Sequence, residues 1–156
     1  MKQSDASVFK FKTQVKVRNY EVDWQGIVHN ANYLLYCELG RVEYLQHLGL
    51  VLDVNTIKHG ARVVVARNEI DYLSSAHYGD MIDVHTRISS IKNTSFIFEG
   101  LLKGAQTGRD IAANVSIHVW LSDTNGQPMP VPDEFRRTVQ SFEGKNAAIH
   151  WPTIST

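Results

Sequence analysis

Residues 30–48, NANYLLYCELGRVEYLQHL, constrain the fold more than any other part of the chain. The run is free of proline and is followed by Gly49, so it reads as one long helix with a glycine stop. On a helical wheel Tyr33, Cys37, Tyr44 and Leu48 fall on one side, and Leu34, Leu35, Val42 and Leu45 on another. Only Glu38, Arg41, Glu43, Gln46 and His47 interrupt them. A helix apolar around that much of its circumference is expected to be mostly enclosed, so the remaining chain has to wrap it.

The rest of the chain supplies strands. Phe9, Phe11, Thr13, Val15 and Val17 alternate with Lys10, Lys12, Gln14 and Lys16, the period of a half-buried strand. Four further strand candidates cover 61–73, 81–91, 94–104 and 109–122. In the last, Ile111, Ala113, Val115, Ile117, Val119 and Leu121 form one face, and Ala112, Asn114, Ser116, His118 and Trp120 the other. Turn signals at 78–80, 92–93, 104–108 and 123–126 separate these runs, and connections so short favour antiparallel neighbours. One helix and about five strands predict an α+β fold, a curved antiparallel sheet wrapped around the helix. A second helix is predicted after Pro132, with Asp133 and Glu134 in its first turn. Residues 144–156 show no periodicity and are expected to be partly flexible.

At 156 residues the chain is the size of one domain, 1–156, with its core at about 8–140. Lys plus Arg and Asp plus Glu both total 16, so no global field recruits nucleic acid or an anionic membrane. A single cysteine, Cys37, cannot pair within the chain, and the first residues lack an apolar signal core. No apolar run suits a membrane span, which needs about 20 residues. A soluble, cytoplasmic protein is the expectation.

The segment DWQGIVHNANY, residues 23–33, places one carboxylate just ahead of the long helix. An acid there is either a turn or cap residue or a reactive group. As a reactive group Asp23 is a carboxylate able to attack a carbonyl or activate water. The start of the helix adds N–H groups with a partial positive charge, suited to a developing oxyanion. Gly26 permits a sharp turn or a close approach of backbone to ligand. Asn30 is predicted as the helix N-cap, which is compatible with its N–H serving a substrate. His29 is a polar pocket wall, a loop histidine or a proton shuttle. Glu38 is expected to pair with Arg41, three residues on. No histidine shows metal-ligand spacing with acids or cysteine, so no metal is predicted.

The run NYEVDWQGIVHNANYLLYCELGRVEYL resembles the signature of hot-dog-fold acyl-CoA thioesterases of the 4-hydroxybenzoyl-CoA thioesterase type. The stretches RNEIDYLSSAHYGD at 67–80 and IKNTSFIF at 91–98, with residues 130–137, agree in order, so the similarity spans roughly 13–140. The resemblance implies a hot-dog fold and hydrolysis of acyl-CoA to free acid and coenzyme A. Asp23 would act as nucleophile or general base, and the backbone N–H of Asn30 would polarise the thioester oxygen. Lys92, with Asn93, Thr94 and Ser95, matches the position where such enzymes meet the CoA phosphates, although only Lys92 is charged here. A solvated turn is the other reading of that segment. Tyr33, Leu34 and the residues of the second strand, 61–73, are candidates for the acyl wall and equally for the core. Coenzyme A is then part of the substrate and no cofactor is implied. A homodimer or homotetramer with a shared site is expected, also because a bare sheet edge needs a partner. The alternatives are an acyl-carrier-protein thioesterase with the same Asp23 chemistry and a non-catalytic acyl-CoA-binding hot-dog module. A hot-dog hydratase or dehydratase is less well matched, because its His and acid arrangement is absent.

Overall fold

A computed structural model of the protein describes residues 5–50 and 61–153. The elements are β1 (Phe11–Lys16), α1 (Asn30–His47), β2 (Ala61–Tyr72), β3 (Met81–Ile91), β4 (Ser95–Gly104), β5 (Asp110–Ser122), α2 (Asp133–Glu143) and β6 (Ala148–Ile149). The long strands form an antiparallel sheet in the order β1-β3-β4-β5-β2, and β6 adds to β3 in parallel. This is the predicted curved sheet around one long helix, with strand ends close to those read from alternation.

One expectation fails on connectivity. The short link between β2 and β3 does not make them neighbours: β2 pairs with β5 at the edge, and residues 73–80 cross the end of the sheet as a strap. The crossing is feasible because the strap finds a partner elsewhere, in the loop before α1. The Val28 N–H donates to the Ala76 carbonyl at 2.9 Å, and Ile27 bridges to His77. The segment after α2 carries β6, and the fully buried Arg136 of α2 reaches it, donating to the carbonyls of Val131 (3.2 Å), Asn93 (2.9 Å) and His150. Residues 154–156 lie outside the described residues.

The helix is enclosed on one side only, which corrects the all-round burial expected of it. Tyr33, Tyr36, Cys37, Gly40, Arg41, Tyr44 and Leu45 are buried, a stripe at helical spacing. Leu35 and Val42 remain 57% and 47% exposed. The stripe packs on β3, β1 and β4, touches β5 least and scarcely reaches β2. Closest approach is at Gly40, where a Cβ would sit 2.6 Å from Val84 Cγ1 and also collide with Thr86, so glycine lets helix and sheet meet. Beyond it Tyr44, Phe96, Phe98, Trp120, Phe135 and Val139 form an aromatic core. Each such side chain contributes about 1.5–3 kcal/mol by leaving water.

The strand β5 turns its more polar set inward. Ala112, Asn114, Ser116, His118 and Trp120 are buried, whereas Val115 on the other face is 38% exposed. The register shift between Leu102 and Lys103 also buries Ile111 beside Ala112.

Candidate active site

The loop between β1 and α1 is built to hold one carboxylate at the helix start. Arg18 to Glu21 form a tight turn in which Glu21 accepts from the Arg18 N–H (2.8 Å), Nε (3.2 Å) and Nη2 (3.1 Å). Burial alone would raise the Glu21 pKa, but these Arg18 bonds hold it below the usual carboxylate range. The Glu21 carbonyl then receives the His29 N–H at 2.9 Å and Asn32 Nδ2 at 2.9 Å, fixing where α1 begins.

Val22 and Val28 bridge, closing a small hairpin with Asp23 to Gly26 at its tip. The Gly26 N–H donates to the Asp23 carbonyl at 3.0 Å, and Gly26 takes φ of 79°, a conformation L side chains rarely adopt. A Cβ at Gly26 would touch nothing, so backbone conformation rather than space selects glycine. Asp23 Oδ1 accepts from the Gln25 N–H at 2.8 Å, an Asx turn. Oδ2 accepts no hydrogen bond among the described residues. The turn reading and the reactive reading of Asp23 therefore apply to different oxygens of one carboxylate.

The N-cap of α1 is His29, not Asn30. His29 Nδ1 accepts from the Ala31 N–H at 3.2 Å and its carbonyl from the Asn32 N–H at 2.9 Å. An accepting Nδ1 leaves the neutral ring its proton on Nε2, free to donate. Asn30 is the first helical residue, and its own N–H has no partner among the described residues. Asparagine is the commoner cap, but the bond from the His29 N–H to Glu21 gives His29 the extended backbone a cap requires.

Asp23, His29, Asn30 and Tyr33 line one cavity of about 560 Å³, together with Val28, Tyr72 and residues 73–75. Tyr33 is buried, its hydroxyl accepts from the Ala76 N–H at 3.0 Å, and burial raises its pKa. It thus anchors the strap as well as lining the cavity. Tyr72 packs on Tyr33, ring centroids 5.8 Å apart, and its hydroxyl donates to the Asn30 carbonyl at 3.4 Å. Ser74 is held by its own bond to the Asp110 carbonyl at 2.6 Å. Ser74 and Ser75 of the strap were not singled out as site residues from sequence. Only the crossing from β2 to β3 brings them to the helix start.

Lys92, Asn93, Thr94 and Ser95 are not brought to this cavity. They form the turn between β3 and β4, where the Lys92 N–H donates to the Ser95 carbonyl. The cavity lies at the other end of β3, where the Val17 N–H binds the Asp80 carbonyl. Eleven strand residues separate the two ends, about 35 Å of chain. Lys92 and Asn93 are exposed. Glu38 is exposed and forms no ion pair with Arg41, which turns under the helix and donates to Asn114 Oδ1 at 3.3 Å.

No helix among the described residues is long and apolar enough to cross a membrane.

The family model of the thioesterase-like superfamily matches residues 17–139. The chloroplastic acyl-acyl carrier protein thioesterase ATL3 of Arabidopsis thaliana is 29% identical over 88% of this chain and 72% of that protein. The acyl-CoA thioester hydrolase YbgC of Escherichia coli is 28% identical over 62% of this chain and 71% of its own length. Among solved structures, a thioesterase from Thermus thermophilus complexed with coenzyme A and Zn superposes with a TM-score of 0.74 at 32% identity, covering 88% of this chain and 96% of that one. A 1,4-dihydroxy-2-naphthoyl-CoA thioesterase from Synechocystis shares the fold, with a TM-score of 0.77 at 22% identity over 83% of this chain and 94% of that one. The match over residues 17–139, on a sheet curved around one long helix, places the chain in the thioesterase-like superfamily as a hot-dog thioester hydrolase.

Proposed function

We propose that this enzyme hydrolyses acyl-CoA to free acid and coenzyme A. The observation that carries the reading is the pairing, in one cavity, of a carboxylate oxygen without a hydrogen bond, Asp23 Oδ2, with the unpartnered N–H of Asn30. A thioester carbonyl directed at the Asn30 N–H has its oxygen polarised by that group and by the α1 dipole. Asp23 Oδ2 then either attacks the carbonyl carbon, expelling the thiolate of coenzyme A and leaving a mixed anhydride that water hydrolyses to free acid and the Asp23 carboxylate, or takes a proton from a water that attacks the carbon, the thiolate leaving and accepting that proton. The His29 Nε2–H offers a second donor at the same mouth. No cofactor enters this sequence, since coenzyme A is part of the substrate.

The Asp23→Asn variant tests the proposal by free-thiol release. Asparagine keeps the Asx turn through its side-chain oxygen, so far-UV circular dichroism is expected to match the wild type while turnover drops about a hundredfold or more. Unchanged hydrolysis would remove Asp23 from the chemistry, and an inactive wild type would favour a binding module.

The enzyme is proposed to work as a dimer. Among the described residues the outer edge of β2 has no strand partner, whereas the side of β3 away from β4 is taken by β1 and β6. Antiparallel pairing of two β2 strands would set the Ala61 end of one copy beside the Tyr72 end of the other. The Lys92 turn lies at the Ala61 end, because Ala61 pairs with Ser122 and Ser95 with Val119. Lys92 to Ser95 of a second copy would then approach the cavity of the first, where the CoA phosphates need a cation. A fully active monomer in light scattering would refute this arrangement.

The long match to the Arabidopsis acyl-acyl carrier protein thioesterase favours a second reading, in which the same Asp23 chemistry acts on an acyl-carrier-protein thioester. Activity with that substrate and none with acyl-CoA selects it.

A further inference from the structure

Arg41 leaves the helix stripe toward β5 and is 9% exposed. Its guanidinium carries five N–H donors, yet among the described residues it makes one hydrogen bond, to Asn114 Oδ1 at 3.3 Å. None of the ion pairs among the described residues includes it. Glu38 acts on it only through its charge, without contact, so the guanidinium is buried with no carboxylate at hydrogen-bond distance among the described residues. That is costly, and a planar fork of donors is shaped for a carboxylate.

The neighbours of Arg41 extend toward open surface. Asn114 Nδ2 donates to Asn68 Oδ1 at 3.2 Å and to the Glu69 carbonyl at 2.8 Å. Asn68 is exposed, on the side of β2 that faces the helix and that α1 leaves bare. Two residues along the same face is Ile70, and two more is Tyr72 at the mouth of the catalytic cavity. The step from Tyr72 to Asn68 is about 13 Å of strand. An acyl chain whose thioester sits at Asn30 and which runs down this strip therefore meets the row Asn68, Asn114, Arg41.

We propose that this row is a second binding site, receiving a carboxylate carried by the acyl group away from the thioester, so that the enzyme selects acyl groups with a charged far end. The inference rests on the thioesterase reading of the cavity. The carboxylate would take the donors of Arg41 that Asn114 leaves free, with Asn68 beside it. A purely hydrocarbon end at the same place would exclude water from the guanidinium and return no acceptor.

Calorimetric titration with S-alkyl-CoA thioethers, which cannot be hydrolysed, separates this site from the chemistry. Two series are compared at short, medium and long chain lengths, one ending in methyl and one in carboxylate. At the matching length the carboxylate-ended compound is expected to bind at least about tenfold more tightly than its methyl-ended partner. Arg41→Met is expected to erase most of that ratio, and Asn68→Leu, on the exposed edge strand where folding is insensitive, to reduce it. Equal affinities of the two series at every length in the wild type overturn the proposal, as does a ratio that survives both variants. Hydrolysis of plain acyl-CoAs without any such ratio sinks the subsite alone. A ratio without hydrolysis of any acyl-CoA sinks the thioesterase reading and leaves the subsite standing.

Discussion

The two halves of the sheet receive very different treatment from the helix. Over β1, β3 and β4 the helix lies close, at Gly40 too close for a side chain, and the space is filled by Tyr44, Phe96 and Phe98. Over β2 the same face is open: Val65 is 49% and Tyr72 50% exposed, and the strand edge has no partner among the described residues. The covered half uses its residues on each other. The open half retains unspent capacity in its backbone edge, the Arg41 donors and the cavity at Asn30. Stability should therefore respond to changes in the first half, and assembly and catalysis to changes in the second.

His118 lies at the border and gives the largest expected effect. Burial, then the charge of Arg41, pushes its pKa down to about 4 from an ordinary 6.5. The unfolded chain binds the proton more readily, so stability is full above pH 6.5 and drains as pH falls toward 4. The loss is on the order of 3 kcal/mol, and His118→Gln should flatten it in denaturant melts at neutral and acidic pH. An unchanged acid limb in that variant would place the sensitivity elsewhere.

On the open half, Val65→Asp should raise the dissociation constant for self-association about a hundredfold, because a charge is carried into the proposed contact. Light scattering at graded concentrations measures it, and circular dichroism should show the strands intact. On the covered half, Gly40→Ala improves helix propensity by about 1 kcal/mol but drives a methyl into Val84 and Thr86. Overpacking costs about 1–3 kcal/mol, so a net loss near 1 kcal/mol is expected in urea melts; a gain would show that β3 can retreat. Tyr44→Phe removes the 2.6 Å bond to Glu143 Oε1 and leaves that buried carboxyl only the Ile88 N–H. A drop of about 1 kcal/mol in the same assay is expected, with hydrolysis unchanged.

Much of the open and covered halves was readable as elements, but not as halves. Strand ends emerge from alternation because each strand reports its own period. Asp23, His29, Asn30 and Tyr33 were readable as a group because they are near neighbours in the chain. Ser74 and Ser75 were not, since their place beside the helix depends on β2 lying at the far edge of the sheet. The Glu38 and Arg41 spacing suggested an ion pair, yet Glu38 is exposed while Arg41 belongs to the buried stripe and meets β5 instead. In β5 alternation separated two faces correctly, while the apolar content of one face pointed outward and the polar set met the helix.

By itself the sequence determined the five long strands, the two helices, the glycine turn after Asp23 and the family these imply. Those features depend on contacts between residues a few positions apart. Only the tertiary structure decided that the β2–β3 strap crosses to the helix start, that His29 takes the cap, and that Lys92 lies at the opposite end of β3. The decisive contacts there, Val28 with Ala76, Tyr72 with Asn30 and Asn114 with Asn68, join residues far apart in the chain. Their partners are set by strand order, which local periodicity does not encode.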